Sequence, residues 1–181
     1  LSDESLKSRI EGLMQRVGFA SKGLFVMDGS RRSAHGNAYF SGFGSAKRIV
    51  FFDTLLSRLA PNEIEAVLAH ELGHFKLNHV VKRIAVMFII SLGFLALLGF
   101  LKNQTWFYLG LGVLPMMDAS NDAMALILFM FTLPVFTFLL SPLLSLTSRK
   151  NEFEADAFAA KHSNSHDLVS ALVKLYEDNA S

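Results

Sequence analysis

The chain has 181 residues, enough for one domain with a core of its own. Its formal net charge of +1 gives no sign of a nucleic-acid footprint, and the absence of cysteine excludes a thiol nucleophile, a disulfide framework and a cysteine zinc site. Hydrophobic residues make up 51% of the chain, with 17 Phe, and this excess is concentrated in two segments.

In chain order, Ser5 to Val17 predicts an amphipathic helix and Leu24-Phe25-Val26-Met27 a strand. Two further strand-like runs, Asn37 to Phe43 and Arg48 to Phe52, flank Gly44-Ser45-Ala46-Lys47 and read as an antiparallel hairpin. Asn37-Ala38-Tyr39-Phe40 is a candidate sheet edge, where an extended peptide can add as a further strand. Asn37 is then a partner for substrate main chain and Tyr39 a pocket wall. On residue type alone, an ordinary half-buried strand beginning at a turn-favouring Asn is the better reading. Thr54 to Leu59 predicts a short helix.

Pro61 opens the next helix. Pro suits the first turn, Glu63 and Glu65 lie at the positive end of the dipole, and strong helix formers follow. This helix carries His70-Glu71-Leu72-Gly73-His74, an HExxH pattern. Four residues is about one helical turn, so both imidazoles project from one face and can hold one Zn²⁺, with Glu71 placed to act on water at the metal. A catalytic zinc takes three protein ligands and keeps one position open, so a third ligand is required. His79 is rejected: nine residues beyond His70 it falls on the opposite helix face, and Phe75-Lys76-Leu77-Asn78 has no Gly to turn the chain back. It is expected to cap or end the helix, in preference to the alternative of a contact to one of the metal ligands.

Ile84 to Leu101 is uncharged, between Lys82-Arg83 and Lys102; Ala123 to Thr147 is a longer uncharged run containing Pro134 and Pro142. A bilayer core takes about 20 apolar residues, and Pro is tolerated in membrane helices. Both segments are therefore expected to be transmembrane, since a chain of this length has too little other structure to wrap two such helices. Trp106-Phe107-Tyr108 falls where an interfacial aromatic belt sits. Leu109 to Met117 is apolar, short and Gly-rich, a loop or re-entrant piece.

Downstream, Glu152 and Asp156 lie four apart on one face of an expected helix, with Glu154 rotated away. Taken alone the pair reads as a solvated acidic face. Beside HExxH it reads as a zinc ligand, Glu152, followed by a carboxylate, Asp156, that accepts the outer N–H of a ligating His and fixes its tautomer. Two crossings separate His74 from Glu152, so they lie on one side of the membrane. Lys76, Lys82, Arg83, Arg149 and Lys150 make that side cytoplasmic by the positive-inside rule. His162 and His166 are four residues apart, the spacing of a separate histidine pair, but read better as exposed helix histidines.

Four blocks in order closely resemble the CaaX prenyl protease 1 family, integral-membrane zinc metalloproteases with the HtpX-type quality-control proteases as relatives. They are Ser33-x-His35-x-Asn37-Ala38-Tyr39-Phe40; Lys47-Arg48-Ile49-Val50-x-Phe52-Asp53-Thr54-Leu55-Leu56; His70-Glu71-Leu72-Gly73-His74-x-Lys76-Leu77-x-His79; and Ser148-Arg149-x-x-Glu152-Phe153-x-Ala155-Asp156-Ala157-Phe158-Ala159. The resemblance implies His70, His74 and Glu152 as zinc ligands, Glu71 as general base, Asp156 as partner of a ligating His, and Asn37 as a contact to substrate main chain. It also favours the hairpin, with Tyr39, as substrate-binding. Members of the family carry several more membrane helices before the equivalent of Leu1 and continue past the equivalent of Asn179, so the chain is expected to be a core segment.

The fold class expected is α+β, mostly helical: a zincin-like core with a small antiparallel β-hairpin sheet, interrupted by a two-helix transmembrane hairpin. Residues 1–83 and 148–181 form the two parts of the protease domain, and 84–147 the membrane hairpin, with spans at 84–101 and 123–147. The function expected is zinc-dependent hydrolysis of peptide bonds, removing the C-terminal tripeptide of prenylated CaaX proteins. One Zn²⁺ is the cofactor. The partners are a polypeptide substrate and the lipid bilayer, with no nucleic acid, and the setting is the cytoplasmic face of the endoplasmic reticulum or bacterial inner membrane. Its rivals are HtpX-like quality control of membrane proteins, and a catalytically silent membrane scaffold whose zinc site is empty or closed by a fourth protein ligand, for which His35 and His79 are the candidates.

Overall fold

The computed structural model describes residues 3–31, 38–41, 48–117 and 119–180. The chain is mostly helical, in the order α1 (Glu4–Arg16), β1 (Leu24–Met27), β2 (Ala38–Ser41), β3 (Arg48–Phe52), α2 (Asp53–Arg58), α3 (Pro61–Lys76), α4 (His79–Leu101), α5 (Thr105–Gly110), α6 (Asp122–His162) and α7 (Ser165–Ala180). It divides into two compact units, one of residues 1–77 and 151–181, the other of residues 78–150.

In the first unit, α1 and α3 start where local chemistry satisfies free backbone N–H groups. The Asp3 carboxylate accepts from the Ser5 and Leu6 amides and starts α1. Pro61 occupies the first turn of α3, and the Glu63 carboxylate reaches back to the Ala60 amide at 2.8 Å. Gly18, at φ +60°, ends α1 in the left-handed conformation, and Lys76 Nζ donates to its carbonyl at 3.0 Å.

The sheet is mixed, in the order β1-β3-β2. The expected hairpin is present: β2 and β3 pair antiparallel, with Tyr39 opposite Val50 and Phe40 opposite Ile49. The purely antiparallel sheet is corrected, because β1 joins the other side of β3 in parallel, with Phe25 opposite Val50. The alternation in β3 buries Ile49 and Phe51, and such a strand is best covered when paired on both sides. Among the described residues β2 is therefore an outer strand, as expected for Asn37 to Phe40; Asn37 itself lies outside the described residues.

The core of this unit packs Leu6, Ile10 and Leu13 of α1, Ile49 and Phe51 of β3, and Ile64, Leu68 and Leu72 of α3, with Leu168 and Ala171 of α7. Phe19 meets Phe40 and Phe75 edge-to-face at 5.4 and 5.2 Å. Glu63 is buried between α3 and α7. Its carboxylate accepts from Ser170 Oγ at 2.7 Å and from Lys174 Nζ at 2.7 and 2.8 Å.

In the second unit, α4 has 23 residues, and α6 runs unbroken for 41, through Pro134 and Pro142 and on past Glu152. Both leave large apolar side chains uncovered along their length, among them Phe88, Ile89, Leu95, Phe131, Phe138 and Leu139. Leu101, Phe107, Tyr108, Ala125 and Phe129 form a separate small core with Phe94. Two expectations are corrected here. His79 does not end the HExxH helix: Asn78, at φ +56°, breaks the chain after α3, and His79 is the buried first residue of α4. Phe107 and Tyr108 are buried rather than an aromatic belt; the Tyr108 hydroxyl donates to the Lys102 carbonyl at 2.7 Å.

Candidate metal centre

The centre is built on two helices of the first unit. On α3, His70 and His74 stand one turn apart, with ring centroids 4.8 Å from each other. On α6, Glu152 and Asp156 are likewise one turn apart and meet the same face of α3. Gly73 allows this approach. A Cβ built on Gly73 would lie 3.1 Å from Ala155 Cα and Phe158 Cβ and 3.3 Å from the Ala155 carbonyl oxygen. With Ala155 also fully buried, the two backbones come close enough for short carboxylate side chains on α6 to reach the histidines. The Gly inside the HExxH pattern is thus part of the site's construction. Its position in the motif is the only sequence signal, since its partner lies over eighty residues downstream.

His70 Nε2 and His74 Nε2 are 3.1 Å apart, and Glu152 Oε2 is 3.5 Å from each. These three donor atoms are the one group of His, Asp and Glu side chains with metal-binding geometry among the described residues. The donor set fits zinc. For bonds of about 2.0–2.2 Å, tetrahedral ligand atoms lie roughly 3.3–3.6 Å apart, close to the three observed edges. Two imidazole nitrogens and one carboxylate oxygen are also the chemistry that zinc accepts.

Asp156 Oδ1 lies 2.9 Å from His70 Nδ1. A carboxylate only accepts, so Nδ1 carries the hydrogen and the lone pair of Nε2 faces His74 and Glu152. Glu71 lies beside this cluster, half-buried. Burial pushes its carboxyl above the usual carboxylate range and the Glu152 charge adds to this, while His70 and His74 pull the other way.

Of the remaining residues singled out above, Tyr39 lies on the outer strand β2 with its ring exposed, edge-on to Phe52 at 6.1 Å. His35, like Asn37, lies outside the described residues. The His162 ring lies against Phe158, centroids 4.4 Å apart. His166 sits in the first turn of α7, its amide bonded to the Asn164 side chain. The Glu63–Lys174–Ser170 cluster was not expected. Only its local half, a Glu three residues after the helix start, is written in adjacent sequence.

An HExxH helix completed by a carboxylate from a second helix is the arrangement of a metallopeptidase centre. Residues 1–180 match peptidase family M48. The chain belongs to that family. It is 44% identical to the CAAX prenyl protease 1 homolog of Arabidopsis thaliana over 184 residues, which cover 100% of this chain and 42% of that protein. It is 38% identical to the CAAX prenyl protease 1 of Saccharomyces cerevisiae, covering 100% of this chain and 43% of that one. It is 35% identical to the human CAAX prenyl protease 1 homolog, covering 99% and 45%. The crystal structure of S. mikatae Ste24p superposes with a TM-score of 0.83 at 36% identity, covering 100% of this chain and 44% of that one. The chain thus spans less than half the length of the relatives it matches.

Proposed function

We propose that the protein containing this chain is a zinc-dependent membrane metalloendopeptidase that removes the C-terminal tripeptide of prenylated CaaX proteins. The observation that carries this reading is the convergence of His70, His74 and Glu152 within 4.8 Å, with Glu71 at their side, in a chain of family M48. The chain's similarity to CAAX prenyl proteases supports the substrate class.

Zinc held by His70, His74 and Glu152 supplies Lewis acidity toward the scissile carbonyl and makes water a better nucleophile. The chain's own residues do the rest. Asp156 holds the His70 ring so that Nε2 points at the centre. Glu71 takes the proton of the attacking water and delivers it to the leaving amine. Among the described residues β2 is an outer strand, the position at which an extended peptide can add to a sheet, with the exposed Tyr39 on it and Asn37 as the proposed contact to substrate main chain.

The exposed apolar lengths of α4 and α6 support a membrane hairpin at 84–147, because a soluble core would cover them. The protease domain is then formed by 1–83 and 148–181, with a zincin-like core. Two crossings return the chain to the side it left, and the lysines and arginines flanking the spans make that side cytoplasmic.

The test is hydrolysis by the full-length protein in vesicles of a farnesylated CaaX peptide and of its unprenylated counterpart. Release of the tripeptide from the farnesylated peptide, abolished by Glu71→Gln, is the expected result. Undiminished activity of Glu71→Gln overturns the role of Glu71. Cleavage confined to unfolded membrane protein overturns the substrate class.

A further inference from the structure

The segment between α4 and α6 has a composition that its position in a helical hairpin does not require. From Asn103 to Asn121 it contains one charged residue, Asp118, and six large aliphatic or Met side chains. Part of this apolar content folds inward: Phe107 and Tyr108 join Leu101, Ala125 and Phe129 in the small core of the unit. The rest faces out. Trp106 is 60% exposed, Leu114 83% and Met117 93%, with Leu109 and Met116 also largely uncovered.

Two further features set this segment apart from an ordinary solvated loop. Part of its backbone pairs internally: the Leu111 and Val113 amides both donate to the Tyr108 carbonyl, and the Gly112 amide to Leu109. Asn121 closes the turn from both sides, accepting from the Met116 amide at 2.8 Å and donating to the Met116 carbonyl at 2.9 Å. A segment that leaves water needs this internal pairing. The indole N–H of Trp106 is likewise taken up by the Gln104 side chain at 3.2 Å. Polar groups rim the patch on one side, where Lys102 and Asp122 pair at 3.0 Å. An apolar tip, a polar rim and an outward Trp are the pattern of a bilayer interface.

We propose that the α4–α6 connector is a lipid-inserting element, with Leu114, Met116 and Met117 among the acyl chains and Trp106 at the headgroup level. The occupant is phospholipid, because the connector joins two helices that are long and apolar enough to cross a bilayer and leave large apolar side chains uncovered, and its own outward residues, Trp106, Leu114, Met116 and Met117, are of the same kind. The proposal rests on the reading of those two helices as membrane spans.

Residues 1–181 contain no cysteine, so single labels can be placed there without removing native thiols from this segment. The full-length protein, with cysteines elsewhere replaced by serine, is labelled with a nitroxide at Leu114→Cys, Met117→Cys, Asn103→Cys and, on α4, Ile89→Cys. It is then reconstituted in phosphatidylcholine vesicles. Collision rates with oxygen, which concentrates in lipid, and with a water-soluble nickel chelate are compared. The expected result is an oxygen-to-nickel ratio at 114 and 117 several-fold above that at 103 and approaching that at 89. A water-like ratio at 114 and 117 with a lipid-like ratio at 89 overturns the proposal and leaves the spans standing. Low collision with both reagents at 114 and 117 means protein covers the tip and also overturns it. A water-like ratio at 89 overturns the membrane reading itself.

Discussion

Replacing Asp156 by Ala removes the group that orients His70 while leaving all three proposed zinc ligands in place. The Asp156 side chain is 46% exposed, and its bond to His70 Nδ1 is 2.9 Å long. Losing an outer partner of this kind costs about 10- to 100-fold in metal affinity. Because Asp156 is half open to solvent, water can take its place on Nδ1, so the loss belongs at the low end. About tenfold corresponds to roughly 1.4 kcal/mol. Asp156→Asn keeps an accepting oxygen and should lose only a few-fold in affinity. The assay is competition between the full-length protein and a chromophoric chelator at buffered free zinc, with Glu177→Ala on the exposed side of α7 as control. Zinc affinity of Asp156→Ala within twofold of wild type would refute the positioning role.

Gly73→Ala should force α3 and α6 apart by a few tenths of an ångström, at the cost of about 1–3 kcal/mol typical of overpacking. A lower melting temperature together with weaker zinc binding is expected, and Gly73→Val should be worse in both. Glu63→Gln should destabilise the protein by about 2 kcal/mol, since a buried carboxylate with three donors loses its charge while the partly exposed Lys174 rehydrates. Burial alone would raise the Glu63 carboxyl, but Lys174, Ser170 and the Ala60 amide outweigh it and hold it below its ordinary value. A carboxyl lowered on folding stabilises fully above its unfolded pKa and loses that contribution as pH falls through the folded one. The wild-type melting temperature should therefore fall on acidification below the ordinary glutamate range, and Glu63→Gln should flatten that acid limb.

What adjacent residues encode was readable before the fold was known. The HExxH helix begins at Pro61, the β2–β3 hairpin forms where turn residues separate two alternating runs, and Glu152 and Asp156 share a face because helical spacing requires it. What depends on distant partners was not. The parallel seat of β1 on β3 is a choice among neighbours that strand composition does not make. Phe107 and Tyr108 look like interfacial aromatics until Ala125 and Phe129 are placed against them. His79 reads as the end of one helix because the left-handed turn at Asn78 leaves only a weak signature in sequence. α6 continues through Pro134 and Pro142, as expected for that apolar run, but that the carboxylates ride on the same helix as the second apolar segment depends on how far the helix extends and was not legible.

The central claim is a zinc centre with two imidazoles, one carboxylate and an open position. Zinc-edge X-ray absorption of the full-length protein measures it directly. One zinc per chain is expected, with two imidazole nitrogens and oxygen neighbours at about 2.0–2.2 Å, and Glu152→Ala should lose the carboxylate contribution and most of the metal. A fourth protein ligand that closes the site, or zinc bound undiminished in Glu152→Ala, would contradict it.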